Sequence, residues 1–336
     1  MNLRGDIWLA VAVFWTGASC APTPTAVVNG SVSDVWRNGH CTDAAYLHVE
    51  DATRDEAVVV TDSRGASREL FRQKDGAVLY AAQCGGALFV VSAAAEKLVP
   101  LDPSTGGKLA LSADGGQTWR ELPIPSRHGA LGAECLDART AYVWTDDEVL
   151  FTDDAGASWT PRRVPGKWEI EPRPRIAPDG SLWLLRDRVS DTPLVVRVDR
   201  GRGRREWRIT TGIYATRLAV AGDGRVWLGG PSRSTKDRRI QVAEWMPGDP
   251  RPTVRFELGG SFIEALELGR DGVGALLWKV DEETLFDAPV YYASSGRSGQ
   301  EWRVRRMDGN TYTEGCLSDG KIWHVNRRGE LYLLPR

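Results

Sequence analysis

Five polar residues recur at one place in a repeated pattern, just before the last residue of a short apolar segment. His40, Gln83, Glu134, Arg175 and Glu267 fill it in five copies, and Ala219 and Gly315 fill it in two more. Arg173 and Arg217 stand two positions further back in two successive copies. Arg173, Arg175 and Arg217 brought together make an anion-binding patch, because a guanidinium meets an anion through paired N–H groups. Glu134 and Glu267, if they converge, supply a general acid and a general base. The same residues also describe a water-filled channel lined by mutually neutralising charges. Arg173, Arg175, Arg217, Glu134, Glu267 and His40 are therefore the ligand-binding candidates, and no residue is assigned a catalytic role. A phosphate loop, a dinucleotide fingerprint, a nucleophile elbow and an HExxH pair are all missing from the sequence, so it implies no cofactor.

The elements that carry these residues share one plan. RIAPDGSLWLL (175–185), LAVAGDGRVWLGG (218–230) and EGCLSDGKIWHV (314–325) align without gaps. ECLDARTAYVW (134–144) joins them with Tyr142 in the place of Trp183, Trp227 and Trp323, and ALELGRDGVGALLW (265–278) is a looser copy. HCTDAAYLHV (40–49) and QCGGALFVV (83–91) have tighter turns. Each reads as strand, Asp/Gly turn, strand. Asp137, Asp179, Asp223, Asp271 and Asp319 would ring one face and hold a cation, or serve only to make tight turns; no metal site is assigned to them.

A second repeat is more compact. SADGGQTW (Ser112 to Trp119) recurs as TDDAGASW (Thr152 to Trp159), and both fit S/T-x-D-x-G-x-S/T-W. SGRSGQEW (295–302) keeps the Ser, Gly and Trp with Arg297 for the Asp, and TDSRGASR (61–68) lacks the Trp. This pattern resembles the Asp-box, or bacterial neuraminidase repeat, of sialidases and other β-propellers. The resemblance implies hairpins on the outer rim of propeller blades, not a reaction. A carboxylate at the third position accepts N–H groups across the turn, and Gly supplies positive φ. The Trp packs back between strands. Ser112, Asp114, Gly116, Thr118 and Trp119, with Thr152, Asp154, Gly156, Ser158 and Trp159, are therefore expected to be structural. Sialidases also use an Arg triad, a Tyr with a Glu partner and an acidic Asp. Arg175-Ile176-Ala177-Pro178 matches the Arg-Ile-Pro motif only with an interruption, and no Tyr/Glu counterpart stands out.

Seven strand–turn–strand units at intervals of roughly 40 to 50 residues predict an all-β, seven-bladed β-propeller of four-stranded antiparallel blades over 26–336. Six or eight blades are the counting alternatives. The last segment, 311–336, holds three strands, so AVVNGSVSDVW (26–36) is expected to close the ring as the fourth. Cys41, Cys84, Cys135 and Cys316 occupy equivalent positions on consecutive blades. Neighbours-only pairing gives the disulfides Cys41–Cys316 and Cys84–Cys135; the alternative is four buried thiols.

Residues 1–19 read as a signal peptide, with Arg4 before the short apolar run IWLAVAVFW. Ala18-Ser19-Cys20 resembles a bacterial lipoprotein box, which implies lipidation at Cys20 and a tether over 20–25. Ordinary cleavage near Ala18 or Ala21 instead leaves a secreted protein. A formal net charge of −2 offers no basic field for nucleic acid. Two Arg-rich stretches, VDRGRGRREWR (198–208) and GPSRSTKDRR (230–239), are solvated loops or a surface for an anionic partner. The expected function is binding or scaffolding in a cell envelope through one propeller face, with an envelope protein or glycan as partner. Membrane contact is expected only through lipid at Cys20. The alternative is a sialidase-like glycoside hydrolase.

Overall fold

The computed structural model describes residues 26–28, 37–41, 45–52, 55–94, 107–126, 128–165, 174–186, 192–200, 203–234, 239–259, 261–269, 272–279, 289–296, 298–310, 315–317, 321–325 and 331–335. The signal segment 1–19, the tether 20–25 with Cys20, and Arg173, Asp271, Arg297 and Asp319 lie outside them, as do the side chains of His40, Cys41 and Cys316.

All regular structure among these residues is β. The first strands are β1 (Ala26–Val28), β2 (Arg37–Cys41), β3 (Ala45–Ala52), β4 (Asp55–Asp62) and β5 (Ser67–Gln73). They are followed by β6 (Gly76–Cys84), β7 (Ala87–Ala94), β8 (Lys108–Ser112) and β9 (Arg120–Leu122). Four antiparallel sheets come next, each made of consecutive strands. One comprises β10 (Gly132–Cys135), β11 (Ala141–Trp144), β12 (Glu148–Thr152) and β13 (Thr160–Arg163). The second has β14 (Arg175–Ile176), β15 (Leu182–Arg186), β16 (Leu194–Val198) and β17 (Arg204–Arg208). The third has β18 (Arg217–Val220), β19 (Val226–Pro231), β20 (Arg239–Trp245) and β21 (Thr253–Gly259). The fourth has β22 (Ser261–Gly269), β23 (Gly272–Lys279), β24 (Pro289–Gly296) and β25 (Trp302–Asn310). The chain ends in β26 (Gly315–Leu317), β27 (Lys321–Val325) and β28 (Leu331–Pro335), and β1 pairs antiparallel with β28 to complete their sheet.

The expectation of seven separate four-stranded blades is corrected. Five four-stranded sheets stand apart, while β2 to β9 form one eight-stranded sheet. The joint is a parallel bridge between Asp55 of β4 and Gly76 of β6. Two carboxylates make it. Asp55 Oδ1 accepts the Asp75 N–H at 2.9 Å, and Glu56 Oε2 accepts the Val78 N–H at 2.7 Å. Asp75 takes φ of 46°, which lets a two-residue link turn straight into β6. A Cβ on Gly76 would stand 2.2 Å from the Ala93 carbonyl oxygen, so only glycine fits at the bridge.

Burial falls from the middle of each sheet outward. AYVW of β11 and LWLLR of β15 are buried throughout, whereas β13 and β17 are mostly exposed or half-buried. A strand covered on both faces reads as an unbroken apolar run, and an outermost strand does not. The first strands touch in succession: β2 meets β6, then β10, β14, β18, β22 and β26 follow, and β26 returns to β2. The wedges between sheets are filled by Trp144, Trp183, Trp227 and Trp323, each under 2% exposed. Tyr142 is buried with them, and its hydroxyl donates to the Gly180 carbonyl of the next sheet at 2.7 Å. Burial pushes that phenol well above its ordinary pKa, so it stays a donor.

Across one seam the sulfurs of Cys84 and Cys135 lie 1.94 Å apart with Cα atoms at 5.8 Å, joining β6 to β10. Non-reducing peptide mapping is expected to recover these two cysteines in one linked species. Replacing both by Ser should cost up to about 4 kcal/mol, the chain-entropy value for closing a loop of this length. Two free thiols on mapping, with no loss of stability on replacement, would contradict the link.

The two compact repeats are built alike. In the first, Ser112 Oγ donates to Asp114 Oδ1 at 2.7 Å and accepts the Gly116 N–H at 2.8 Å. Asp114 also takes the Gln117 and Thr118 N–H groups at 3.0 and 2.9 Å and the Thr118 hydroxyl at 2.5 Å. In the second, Thr152 donates to Asp154 at 2.8 Å, and Ser158 gives it an N–H at 2.9 Å and a hydroxyl at 2.5 Å. Gly116 and Gly156 both have positive φ, 90° and 80°. Each Trp then reaches the preceding strand system. Trp119 Nε1 donates to the Leu70 carbonyl at 3.0 Å, and Trp159 Nε1 to that of Pro123 at 2.9 Å. In the third copy Trp302 Nε1 bonds its own turn at Gly299, 3.2 Å away, and the ring stacks on Phe256 of β21 at 4.8 Å. The fourth copy has its carboxylate one position earlier, and Asp62 accepts the Arg64 and Ala66 N–H groups at 2.8 and 3.0 Å.

The Ser158 hydroxyl, then its N–H, then the Thr152 hydroxyl hold Asp154 down at about 2 from an ordinary 3.8. A carboxyl with a depressed folded pKa stabilises fully above its unfolded pKa and loses that contribution as pH falls through the folded one. The stability gap between wild type and Asp154→Asn should therefore be constant above pH about 5 and close between about 4 and 2. Denaturant titrations across that range check it; a gap that does not change with pH would contradict it.

Candidate functional site

Antiparallel order decides which loops share a face. Turns between the first and second strands of a sheet, and between the third and fourth, lie at one end, the turn face. Links from second to third strand, and from one sheet to the next, lie at the other, the loop face. Backbone bonds agree with this. On the turn face the Gly115 N–H reaches the Gly86 carbonyl at 2.8 Å, and Ala155 reaches Arg139 at 2.8 Å. On the loop face Val164 reaches Asp147 at 2.8 Å, and Tyr214 reaches Pro231 at 2.8 Å.

On the turn face the Asp side chains of the first-to-second-strand turns are bonded where they are described. Asp137 Oδ1 accepts the Arg139 and Thr140 N–H groups at 2.8 and 2.7 Å. Asp179 Oδ1 accepts both the N–H and the hydroxyl of Ser181, at 2.9 and 2.6 Å. Asp223 takes the Arg225 N–H at 3.1 Å and its Nε at 2.7 Å. Burial alone would raise these three carboxyls, but the bonds overcome it and all three are held below their ordinary value. Each Asp bonds its own turn, and Asp179 Oδ2 also pairs with Arg197 Nη2 of β16 at 3.0 Å. Among the described residues no three His, Cys, Asp or Glu side chains gather as a metal set.

Of the sequence candidates on the innermost strands, two pair with each other and a third meets a residue outside the set. Arg175 Nη2 meets Glu267 Oε1 at 2.7 Å, reaching from β14 to β22 across β18. β18 has the small, buried Ala219 at the corresponding position of the repeat. Glu134, 6% exposed, accepts the Tyr80 hydroxyl at 2.7 Å. Tyr80 was not singled out by sequence reasoning; it sits edge-on to Trp144, with ring centroids 4.9 Å apart. Arg217 is placed at the loop-face end of β18, where Nη1 donates to the Thr216 carbonyl at 3.1 Å. Gln83 Nε2 approaches its own turn at the Gly85 carbonyl, 3.5 Å away. The two glutamates therefore have different partners, Arg175 and Tyr80. Arg175 is paired with a carboxylate and Arg217 bonds a neighbouring carbonyl, while Arg173, the third arginine of the expected patch, lies outside the described residues.

The loop face has different features. An open depression of about 540 Å³ is lined by Pro125, Ser126, His128, Asp147, Glu148 and Arg163. It lies where the link into β10 meets the turn between β11 and β12. His128 Nδ1 is buried there without a partner among the described residues. On the sheet of β18–β21, Arg233 stacks over Tyr214 with its guanidinium carbon 4.2 Å from the ring centroid. Tyr214 is 37% exposed, and Phe262 at the loop-face start of β22 is 50% exposed. The acidic run Asp146-Asp147-Glu148 was the only sequence signal for the depression, and it reads as an ordinary turn.

No protein-family model matches the chain, and no curated protein sequence matches it either. Solved structures do match in shape. YCF48 bound to a D1 peptide is 14% identical with a TM-score of 0.58, over 94% of this chain and 100% of that one. BamB from Moraxella catarrhalis is 15% identical with a TM-score of 0.52, over 90% and 86%. U3-55K is 12% identical with a TM-score of 0.60, over 94% and 99%. At these identities the likeness is one of fold, and with the ring of sheets it identifies an all-β propeller.

Proposed function

We propose that this chain is a protein-interaction scaffold, exported and held in a cell envelope by lipid at Cys20, that docks a protein partner through its loop face. One observation carries the reading: the two faces differ. On the turn face Asp114, Asp137, Asp154, Asp179 and Asp223 all bond their own turns, and Asp179 also pairs with Arg197. On the loop face lie an open depression and exposed aromatic side chains. Aromatic residues and Arg at a surface are the types that carry binding energy between proteins. YCF48, a neighbour in fold, was solved with a peptide bound, which supports a peptide or protein partner. The hydrolase reading receives no such support, since Glu134 and Glu267 are engaged by different partners.

The reading is tested by affinity capture with the full-length protein, tagged at Arg336, from detergent-solubilised membranes of its own host. A stoichiometric protein partner is expected, released by substitutions at the depression or at Tyr214. Retention of glycan alone, or a partner still held by every loop-face variant, would overturn it.

A further inference from the structure

The open depression on the loop face is walled by separate pieces of chain. The link into β10 gives Pro125, Ser126 and His128, the turn into β12 gives Asp147 and Glu148, and the end of β13 gives Arg163. Backbone bonds fix each piece. Gly107 and Ala130 form a bridge, their N–H groups donating to each other's carbonyls at 2.7 and 2.9 Å. The Leu131 N–H reaches the Trp144 carbonyl at 2.9 Å, which seats the link on β11. In the turn, the Thr145 N–H reaches the Glu148 carbonyl at 2.9 Å, and the Glu148 N–H reaches Thr145 Oγ1 at 3.2 Å. The Val164 N–H ties the end of β13 to the Asp147 carbonyl at 2.8 Å. Within the link, Ser126 Oγ accepts the His128 N–H at 3.2 Å.

The charged side chains on this fixed backbone are not tied to one another. Glu148 and Arg163 stand opposite each other in the β12–β13 register, where opposite charges ordinarily pair. Yet the Asp147 and Glu148 carboxylates and the Arg163 guanidinium have no hydrogen-bond or ion-pair partner among the described residues. His128 Nδ1 is buried without one. Both carboxylates are half-buried, whereas Arg163 is exposed. A carboxylate drawn partly out of water with no donor beside it is a cost that the fold alone does not offset.

We infer that the depression is a docking site for the guanidinium of an arginine on a protein partner. This rests on the scaffold reading and gives the loop face a chemistry. Charge complementarity selects the occupant. Two free carboxylates line the depression against one free guanidinium, and the carboxylates are the more deeply set. A group that only donates hydrogen bonds fits them, as guanidinium and ammonium do. Width then favours arginine. Among the described residues these acids and His128 do not gather closely enough to share a metal ion. A guanidinium spreads its N–H donors across a plane and so meets two separated carboxylates at once. Its aliphatic stem would lie along Pro125. The backbone of the site is already fixed, so little order is left to impose when the partner docks.

The test uses fluorescence anisotropy with the full chain and a labelled Gly-Ala-Arg-Ala-Gly peptide, compared with the same peptide carrying citrulline, which keeps the shape of arginine without its charge. The arginine peptide is expected to bind and the citrulline peptide not. Asp147→Asn and Glu148→Gln should each weaken binding by about tenfold or more, the loss typical of interface anchors. Arg163→Gln should tighten it, because the one opposing charge is removed. Asp153→Asn, at an exposed position on the turn face, should leave it unchanged. Thermal unfolding of each variant is expected to match wild type, since the replaced side chains bond nothing within the fold. Equal binding of both peptides, full binding by both carboxylate variants, or weaker binding by Arg163→Gln would overturn the inference. So would free L-arginine competing as tightly as the peptide itself, which would make the ligand a small molecule. Partner capture that persists while the arginine peptide fails would sink this site and leave the scaffold reading standing.

Discussion

Everything in this molecule depends on filling the wedge between neighbouring sheets. Sheets set around an axis diverge outward, so the gap must take large side chains along its length. Trp144, Trp183, Trp227 and Trp323 meet that demand from second strands, with Tyr142 among them. Their bulk forces small partners opposite. A Cβ on Gly132 would fall 2.1 Å from Trp144, and one on Gly299 would fall 2.2 Å from Trp227. At the rim the wedge is wider, and the compact repeats close it. Their Trp side chains cross to Leu70 and Pro123 of the preceding strands. The carboxylate of each repeat holds the turn in the one shape that aims its Trp at that carbonyl.

The same packing leaves the two faces unequal. Short turns between strands need the Asp and Gly that fix tight geometry, and their polar groups are consumed in doing so. The links into β10, β14 and β18 are longer, and they carry side chains the ring itself does not use. Near the axis the polar residues are paired with each other, Arg175 with Glu267 and Tyr80 with Glu134. Arg175 and Glu267 neutralise one another, and the Tyr80 hydroxyl gives the buried Glu134 a hydrogen-bond donor. Chemistry directed outward is left to the loop face.

Much of this was legible in the residues. The Asp/Gly turns and the S/T-x-D-x-G-x-S/T-W hairpins are local, because the groups they join lie within a few positions. Trp183, Trp227 and Trp323 were visible as a column because the hairpins that carry them repeat, and the pairing of the first strand with β28 followed from the three strands counted in the last segment. The merging of β2–β9 into one sheet was not legible. It rests on Asp55 and Glu56 accepting N–H groups from Asp75 and Val78, partners about 20 residues away that no periodicity announces. The inner polar residues were found, but their pairing was not, because it depends on which strands face across the axis. The Tyr214–Arg233 stack was hidden because its halves flank the β18–β19 hairpin and meet only where the pairing runs on past it.

The central claim is that partners meet the loop face and leave the turn face alone. Hydrogen exchange on the full-length protein, free and with its captured partner, tests this most directly. The account predicts new protection at 125–128, 145–148, 209–216 and 232–234, with none at 113–118, 153–158 or 177–181. Protection confined to those turns, with the loop face exchanging as in the free protein, would contradict it.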